Sequence, residues 1–187
     1  MDPQSAHKYA YSFNDSKRYK KLKTIRKLRE EQYAHNKRFC LNEYGVDLDN
    51  WRTEPYTYLK ARLYMELSAI LVYLLIKAKV KPNNVTLAYG FCGILGGLLL
   101  SVPSDITIYS ALVIFFLKGV LDWSDGHLAR ATNQTSLTGH ILDSYGAHLN
   151  ALGLQIGLGF YVAQKADLFF FYLVPLIPFF YAARMKP

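Results

Sequence analysis

The 187-residue sequence predicts an all-α fold: a multi-pass integral membrane helical bundle with an N-terminal interfacial amphipathic helix. Three observations carry this. Apolar residues make up 51% of the chain, and charged residues only 19%, against about 25% in an ordinary soluble domain. The charge is also unevenly spread: residues 1–52 hold 12 of the 22 Lys and Arg and 7 of the 14 Asp and Glu. Finally, the remaining sequence contains long runs with almost no charge. A charged head joined to an oily body excludes an ordinary soluble enzyme, an acidic disordered chain and a disulfide-built secreted domain. Cys40 and Cys92 lie far apart in zones of different composition, so neither reads as a staple or a zinc ligand.

The head comes first. Residues 17–29 read KRYKKLKTIRKLR, with Tyr19, Leu22, Ile25 and Leu28 recurring every three residues among eight basic side chains. That spacing is helical with a narrow apolar stripe. Basic residues with apolar anchors suit an anionic membrane surface; a solvated juxtamembrane helix is the competing reading. The oily body decides against nucleic acid as partner. No apolar stretch follows the first charges, so the N-terminus does not read as a cleavable signal. Residues 1–53 are therefore read as a basic N-terminal cytoplasmic segment and residues 54–187 as the membrane domain.

Four apolar runs follow, at 85–102, 106–121, 139–163 and 168–183, each close to the roughly 20 helical residues a bilayer core requires. Lys81-Pro82-Asn83-Asn84, Pro103-Ser104-Asp105 and Gln164-Lys165-Ala166-Asp167 punctuate them. The stretch 57–79 carries Lys60, Arg62 and Glu66 in its first half and is apolar in its second. Basic residues stay cytoplasmic. If 57–79 crossed the membrane, the basic head would lie outside, so it is read as the interfacial helix. The N-terminus, Lys81 and Arg130 then face the cytoplasm. Gly93 and Gly97 form a GxxxG face for close helix approach, with ordinary tolerance of glycine in membrane helices as the alternative. Pro175 and Pro178 predict a kink in the last run.

Acids in such helices are costly and point to function. Asp122 and Asp125 stand three apart, on one helix face, at the end of the second run. Asp143 stands about one turn inside the next. Three carboxylates near one membrane surface make a hard oxygen donor set, suited to Mg²⁺, Mn²⁺ or Ca²⁺ and not to zinc. Gly126 would let a ligand approach the backbone. Arg130 can grip a phosphate through two parallel hydrogen bonds.

The full string, Asp122-x₂-Asp125-Gly126-x₂-Ala129-Arg130-x₈-Gly139-x₃-Asp143, resembles the signature of the CDP-alcohol phosphatidyltransferase family. The Pro82-Asn83 step and the interfacial helix before it are similar to that family too. The resemblance covers about residue 57 onward and leaves the basic head outside. It implies a membrane phosphotransferase that moves a phosphatidyl or phosphoalcohol group from a CDP-linked donor to an alcohol acceptor, releasing CMP, in phospholipid biosynthesis. It implies a cytoplasm-facing site with a divalent metal, Mg²⁺ or Mn²⁺. Asp122, Asp125 and Asp143 are then metal ligands, and Gly126, Ala129, Arg130 and Gly139 form the donor-nucleotide pocket. Family members often dimerise, so a homodimer is among the expected assemblies, in contact with membrane phospholipid.

The sequence departs from the pattern in two places. The family's last motif aspartate, its proposed general base, is Ala147 here. His140 and His148 are the substitutes on offer, since histidine titrates near neutral pH; Asn150 stands almost directly above Asp143. Second, the family usually has six membrane helices, and four are counted after Pro82. A fragment, or a short variant completed by a partner chain, is expected. The alternative function is a non-catalytic homologue that binds nucleotide, metal or lipid, or supports a partner.

Overall fold

The computed structural model describes residues 24–52 and 54–166. Among them are five helices and no strand: α1 Ile25–Tyr44, α2 Pro55–Lys77, α3 Pro82–Leu100, α4 Asp105–Ala131 and α5 Leu137–Ala166. The helix boundaries follow local chemistry. Thr24 caps α1, its hydroxyl accepting from Lys27 N–H, and Gly45 ends it at φ 66°, a left-handed conformation that glycine reaches without a Cβ clash. Pro55 and Pro82 stand at the first positions of α2 and α3, where a missing N–H costs nothing. Ser136 caps α5, its hydroxyl accepting from Gly139 N–H at 3.0 Å.

Two helices among the described residues, α3 and α4, are long and apolar enough to cross a membrane. α5 is longer but falls short in apolarity, because His140, Asp143, His148, Asn150, Gln155 and Gln164 interrupt it. The expected run 139–163 is thus a helix of mixed character. The expected run 168–183, with its prolines, lies outside the described residues, as does most of the basic run 17–29. α4 also differs from expectation. Expected to end at Asp122 and Asp125, it continues to Ala131, so Asp122 to Arg130 are all helical. No proline interrupts this stretch, and the chain turns only at Asn133 (φ 53°), where Gln134 N–H bonds Ala129 O at 2.8 Å.

The packing divides the chain into two compact units. The first holds α1, α2, the opening of α3, the end of α4 from Val120 and the start of α5. Its core joins Leu28 of α1, Val72 and Ile76 of α2, Val85 and Leu128. α2 buries Ala61, Met65, Ser68, Ala69, Val72 and Ile76, which share one helical face. Leu59, Leu63, Ile70 and Leu74 lie on the opposite face and are exposed. α1 is held to α2 by the Tyr33 hydroxyl on Glu66 Oε1 (2.9 Å) and by Arg29 with Glu66 (3.5 Å). The expected apolar stripe of the basic head is therefore only partly used. Leu28 is buried, whereas Ile25 is 40% exposed, because the face meeting α2 runs through Leu28 and Gln32, one turn apart.

The second unit holds the remainder of α3, α4 and α5. Here α3 and α5 pack backbone against backbone through glycines. A Cβ on Gly97 would stand 2.3 Å from Gly153 O, one on Gly153 would stand 2.2 Å from Gly93 O, and one on Gly157 would stand 2.4 Å from Gly97 O. Gly93 and Gly97 thus form the close-approach face expected of GxxxG, and Gly153 and Gly157 are its counterpart. Asn150 is wedged into this contact. Its Nδ2 donates to Tyr89 O at 3.1 Å and Gly146 O at 2.7 Å, so it ties the two helices together.

Candidate active site

The motif residues Asp122, Asp125, Gly126, Ala129, Arg130 and Gly139 belong to the first unit, and Asp143 belongs to the second. Within the first, the structure brings Asp125, Gly126 and Arg130 together. Asp125 is buried, at 6% exposure, and its Oδ1 accepts from Gly126 N–H at 2.5 Å. Arg130 folds back one turn over Gly126. A Cβ there would stand 3.2 Å from Arg130 Nη1, close enough to disturb the guanidinium. Gly126 thus leaves room for the arginine of its own motif. Asp122 is part-buried, and its charge helps raise the Tyr64 hydroxyl above the ordinary phenol range, after burial and Tyr56. Gly139 lies against Asn83, whose Oδ1 would be 3.2 Å from an added Cβ. The Pro82-Asn83 step and the motif glycine are therefore neighbours.

Two elements ahead of α3 position this stretch of α4. The carbonyl of Trp123, between Asp122 and Asp125, accepts from Ser68 Oγ of α2 at 3.1 Å and from Gln32 Nε2 of α1 at 3.4 Å. Gln32 also donates to Ser68 Oγ at 3.2 Å, and the Trp123 ring stacks on Tyr64 at 6.0 Å. Gln32 and Ser68 are both buried, at 1% and 0% exposure. Sequence reading missed both, because neither belongs to a motif. The available signal was a lone Gln one turn after Leu28 and a Ser inside an apolar stretch.

In the second unit, Asp143 is gripped by Tyr89. The Tyr89 hydroxyl lies 2.7 Å from Asp143 Oδ1 and 2.5 Å from Asp143 O, and the residue is fully buried. Lys118 Nζ stands 5.6 Å from the Tyr89 ring centroid. Gly146 makes this possible: a Cβ there would come within 2.6 Å of the Tyr89 hydroxyl. Ala147 and His148 are exposed, and His148 Nδ1 pairs with Ser144 O at 2.6 Å in its own helix. His140 is exposed in the first turn of α5, its N–H bonded to Ser136 O. Asn150 is committed to the α3–α5 contact described above.

The donor chemistry of the motif fits a hard divalent cation, because all three candidate ligands are carboxylates. Among the described residues, no group of three or more His, Cys, Asp and Glu is gathered as a metal cluster.

Residues 79–181, more than half of the chain, match the family model described as CDP-alcohol phosphatidyltransferase. The chain belongs to the CDP-alcohol phosphatidyltransferase family. The match begins just before α3, so α1 and α2 lie ahead of it. The chain is also similar to the inner membrane protein YnbA of Escherichia coli (strain K12), at 30% identity over 107 residues. That match covers 57% of this chain and 53% of the relative, so the chain spans about half the length of the curated relative it matches. No solved structure matches the chain. Family membership and the apolar α3 and α4 support transferase-type function and a membrane location.

Proposed function

We propose that this protein is a membrane phosphotransferase of phospholipid biosynthesis, moving a phosphatidyl or phosphoalcohol group from a CDP-linked donor to an alcohol and releasing CMP. The observation that carries this reading is the run from Asp122 to Asp143 within the residues matching the family model. A divalent cation, Mg²⁺ or Mn²⁺, held by Asp122, Asp125 and Asp143, would supply neutralisation of the donor diphosphate as the leaving CMP gains charge.

The remaining roles fall to this chain's own side chains. Gly126, Ala129, Arg130 and Gly139 receive the donor nucleotide, with Arg130 placed over Gly126 to pair with a phosphate oxygen. Gln32 and Ser68 hold the Trp123 carbonyl and so fix the azimuth of Asp122 and Asp125. Tyr89 orients the Asp143 carboxylate. In the reaction, the acceptor hydroxyl oxygen bonds to the phosphorus remote from cytidine. The bond from that phosphorus to the bridging oxygen breaks, and CMP leaves with the electron pair. The hydroxyl proton goes to a base. His140 and His148, both exposed, are the candidates near Ala147, with solvent as the default acceptor.

The exposed apolar face of α2, opposite its packed face, supports an interfacial placement for that helix; the cytoplasmic side for the head and active site rests on the Lys and Arg at 77, 79, 81 and 130. A second reading rests on Ala147: lacking the family's last aspartate, the chain would bind donor and metal without turnover. Both readings require Asp125. Titration of CDP into full-length protein with Mg²⁺ should saturate for wild type and fail for Asp125→Ala. Equal affinity in the two would remove the site from these residues.

A further inference from the structure

The head helix α1 lies ahead of the residues matching the family model, yet it reaches the motif helix from two positions one turn apart. Leu28 shares a core with Leu128 of α4, and Gln32 Nε2 donates to the Trp123 carbonyl at 3.4 Å. A carbonyl oxygen has two lone pairs, so a helix carbonyl can take such a tie without leaving its own ladder.

Helix geometry makes this grip consequential. At 100° per residue, Asp122 and Asp125 stand about 60° apart on α4, and Trp123 stands about 100° from the one and about 160° from the other. α1 therefore holds the back of a helix whose front carries both carboxylates. With side chains about 5–6 Å from the axis, a rotation of about 10° displaces a carboxylate by about 1 Å. A ligand set must be held to about 0.5 Å, so a loose α4 is a poor metal site.

α1 is also held lightly. Of its 20 residues only Leu28 and Gln32 are buried, whereas α2 buries Ala61, Met65, Ser68, Ala69, Val72 and Ile76 among 23. Its other ties include half-exposed polar pairs: Arg29 and the Tyr33 hydroxyl on Glu66, and Lys37 on Asp49. Exposed ion pairs contribute little. An element with few buried apolar contacts opens locally while the rest of its unit stays folded.

We propose that α1 is a regulatory strap on the metal site: docked, it holds Asp122 and Asp125 in ligating register through Gln32, and occupation of the site tightens its docking in return. The strap depends on Asp122 and Asp125 being the metal ligands of the transferase reading above. Coupling is reciprocal in free energy, so the factor by which Gln32 strengthens metal binding is also the factor by which bound metal slows the opening of α1.

The test is hydrogen exchange across α1 in the full-length protein in detergent, with and without Mn²⁺ plus CDP, beside Mn²⁺ titration. In wild type, Mn²⁺ and CDP should slow exchange of the α1 amides about tenfold, within the range typical of groups that orient a metal ligand. Gln32→Met keeps the length of the side chain and removes the donor. It should lose that slowing and bind Mn²⁺ about tenfold more weakly, with α3 exchange as in wild type. Glu66→Ala cuts two polar ties of α1 and leaves Gln32 in place. Its α1 should exchange about fivefold faster without Mn²⁺ and CDP, keep the slowing when they bind, and hold Mn²⁺ as wild type does, since docked α1 still dominates. Mn²⁺ binding by wild type with no change in α1 exchange, or slowing that survives in Gln32→Met, would overturn the strap and leave Gln32 a purely structural contact. No Mn²⁺ binding by wild type would remove the strap and the metal site together. Mn²⁺-dependent slowing in a protein that releases no CMP from CDP-linked donors would refute the transferase reading and leave the strap standing.

Discussion

Tyr89→Phe is the sharpest perturbation of the candidate site, because it deletes one oxygen and little else. The Tyr89 hydroxyl is fully buried and lies 2.7 Å from Asp143 Oδ1, a carboxylate assigned to metal binding. A hydrogen bond to a charged acceptor contributes about 1.5–3 kcal/mol, and losing it frees the carboxylate to rotate away from its ligating orientation. At about 1.4 kcal/mol per tenfold, this corresponds to a fall of roughly 10- to 100-fold in metal affinity, the range typical of groups that orient a metal ligand. The assay is Mn²⁺ titration of the full-length protein with CDP present, followed by the free-Mn²⁺ spin-resonance signal, alongside the thermal midpoint. Gly146→Ala should act in the same direction, since its Cβ would come within 2.6 Å of the Tyr89 hydroxyl and push it off Asp143. Wild-type Mn²⁺ affinity in Tyr89→Phe would refute the assignment of Tyr89 as a positioning residue for a metal-binding Asp143. A lower thermal midpoint with unchanged Mn²⁺ affinity would make the contact purely structural.

Three further outcomes follow from the same physics. Gly153→Ala should lower stability by about 1–3 kcal/mol, since the new Cβ would stand 2.2 Å from Gly93 O and force α3 and α5 apart; denaturation in detergent measures it. Burial and the hydrogen bond to Glu66 push the Tyr33 hydroxyl up to about 12, so the neutral phenol is favoured by folding. That stability is fully present below pH about 10, where an unfolded tyrosine begins to ionise, and is lost as pH rises from about 10 to about 12; Tyr33→Phe should flatten this part of the thermal-midpoint profile. A cysteine at Lys27, in a background without Cys40 and Cys92, should label only from the cytoplasmic side, and labelling from outside intact cells would reverse the topology.

The helices and the motif were legible in the sequence for a simple reason: each depends on local spacing. Charge-free runs, Pro82 at a helix start and glycines four apart place α3 and its partner face without tertiary information. The motif aspartates were legible because acids in an oily helix are expensive. What could not be read depended on contacts between distant segments. Gln32 and Ser68 meet the Trp123 carbonyl across 91 and 55 residues, and no local pattern marks them. The last turn and a half of α4 was not legible, because the apolar run ends before Asp122 while the helix continues past Asp125 to Ala131. The head was read as a surface helix from its charges. Burial of Leu28 and Gln32 shows instead that α1 is part of the first unit's core, which brings His35 and Arg38 beside Arg130.

The most direct test of the central claim is CMP release from CDP-diacylglycerol by full-length protein with Mg²⁺ or Mn²⁺ and a pool of alcohols that includes glycerol phosphate, wild type beside Ala147→Asp. The account predicts metal-dependent release by wild type and a further gain in Ala147→Asp as the missing carboxylate returns. No release from either protein, in preparations that bind neither CDP nor metal, would contradict it.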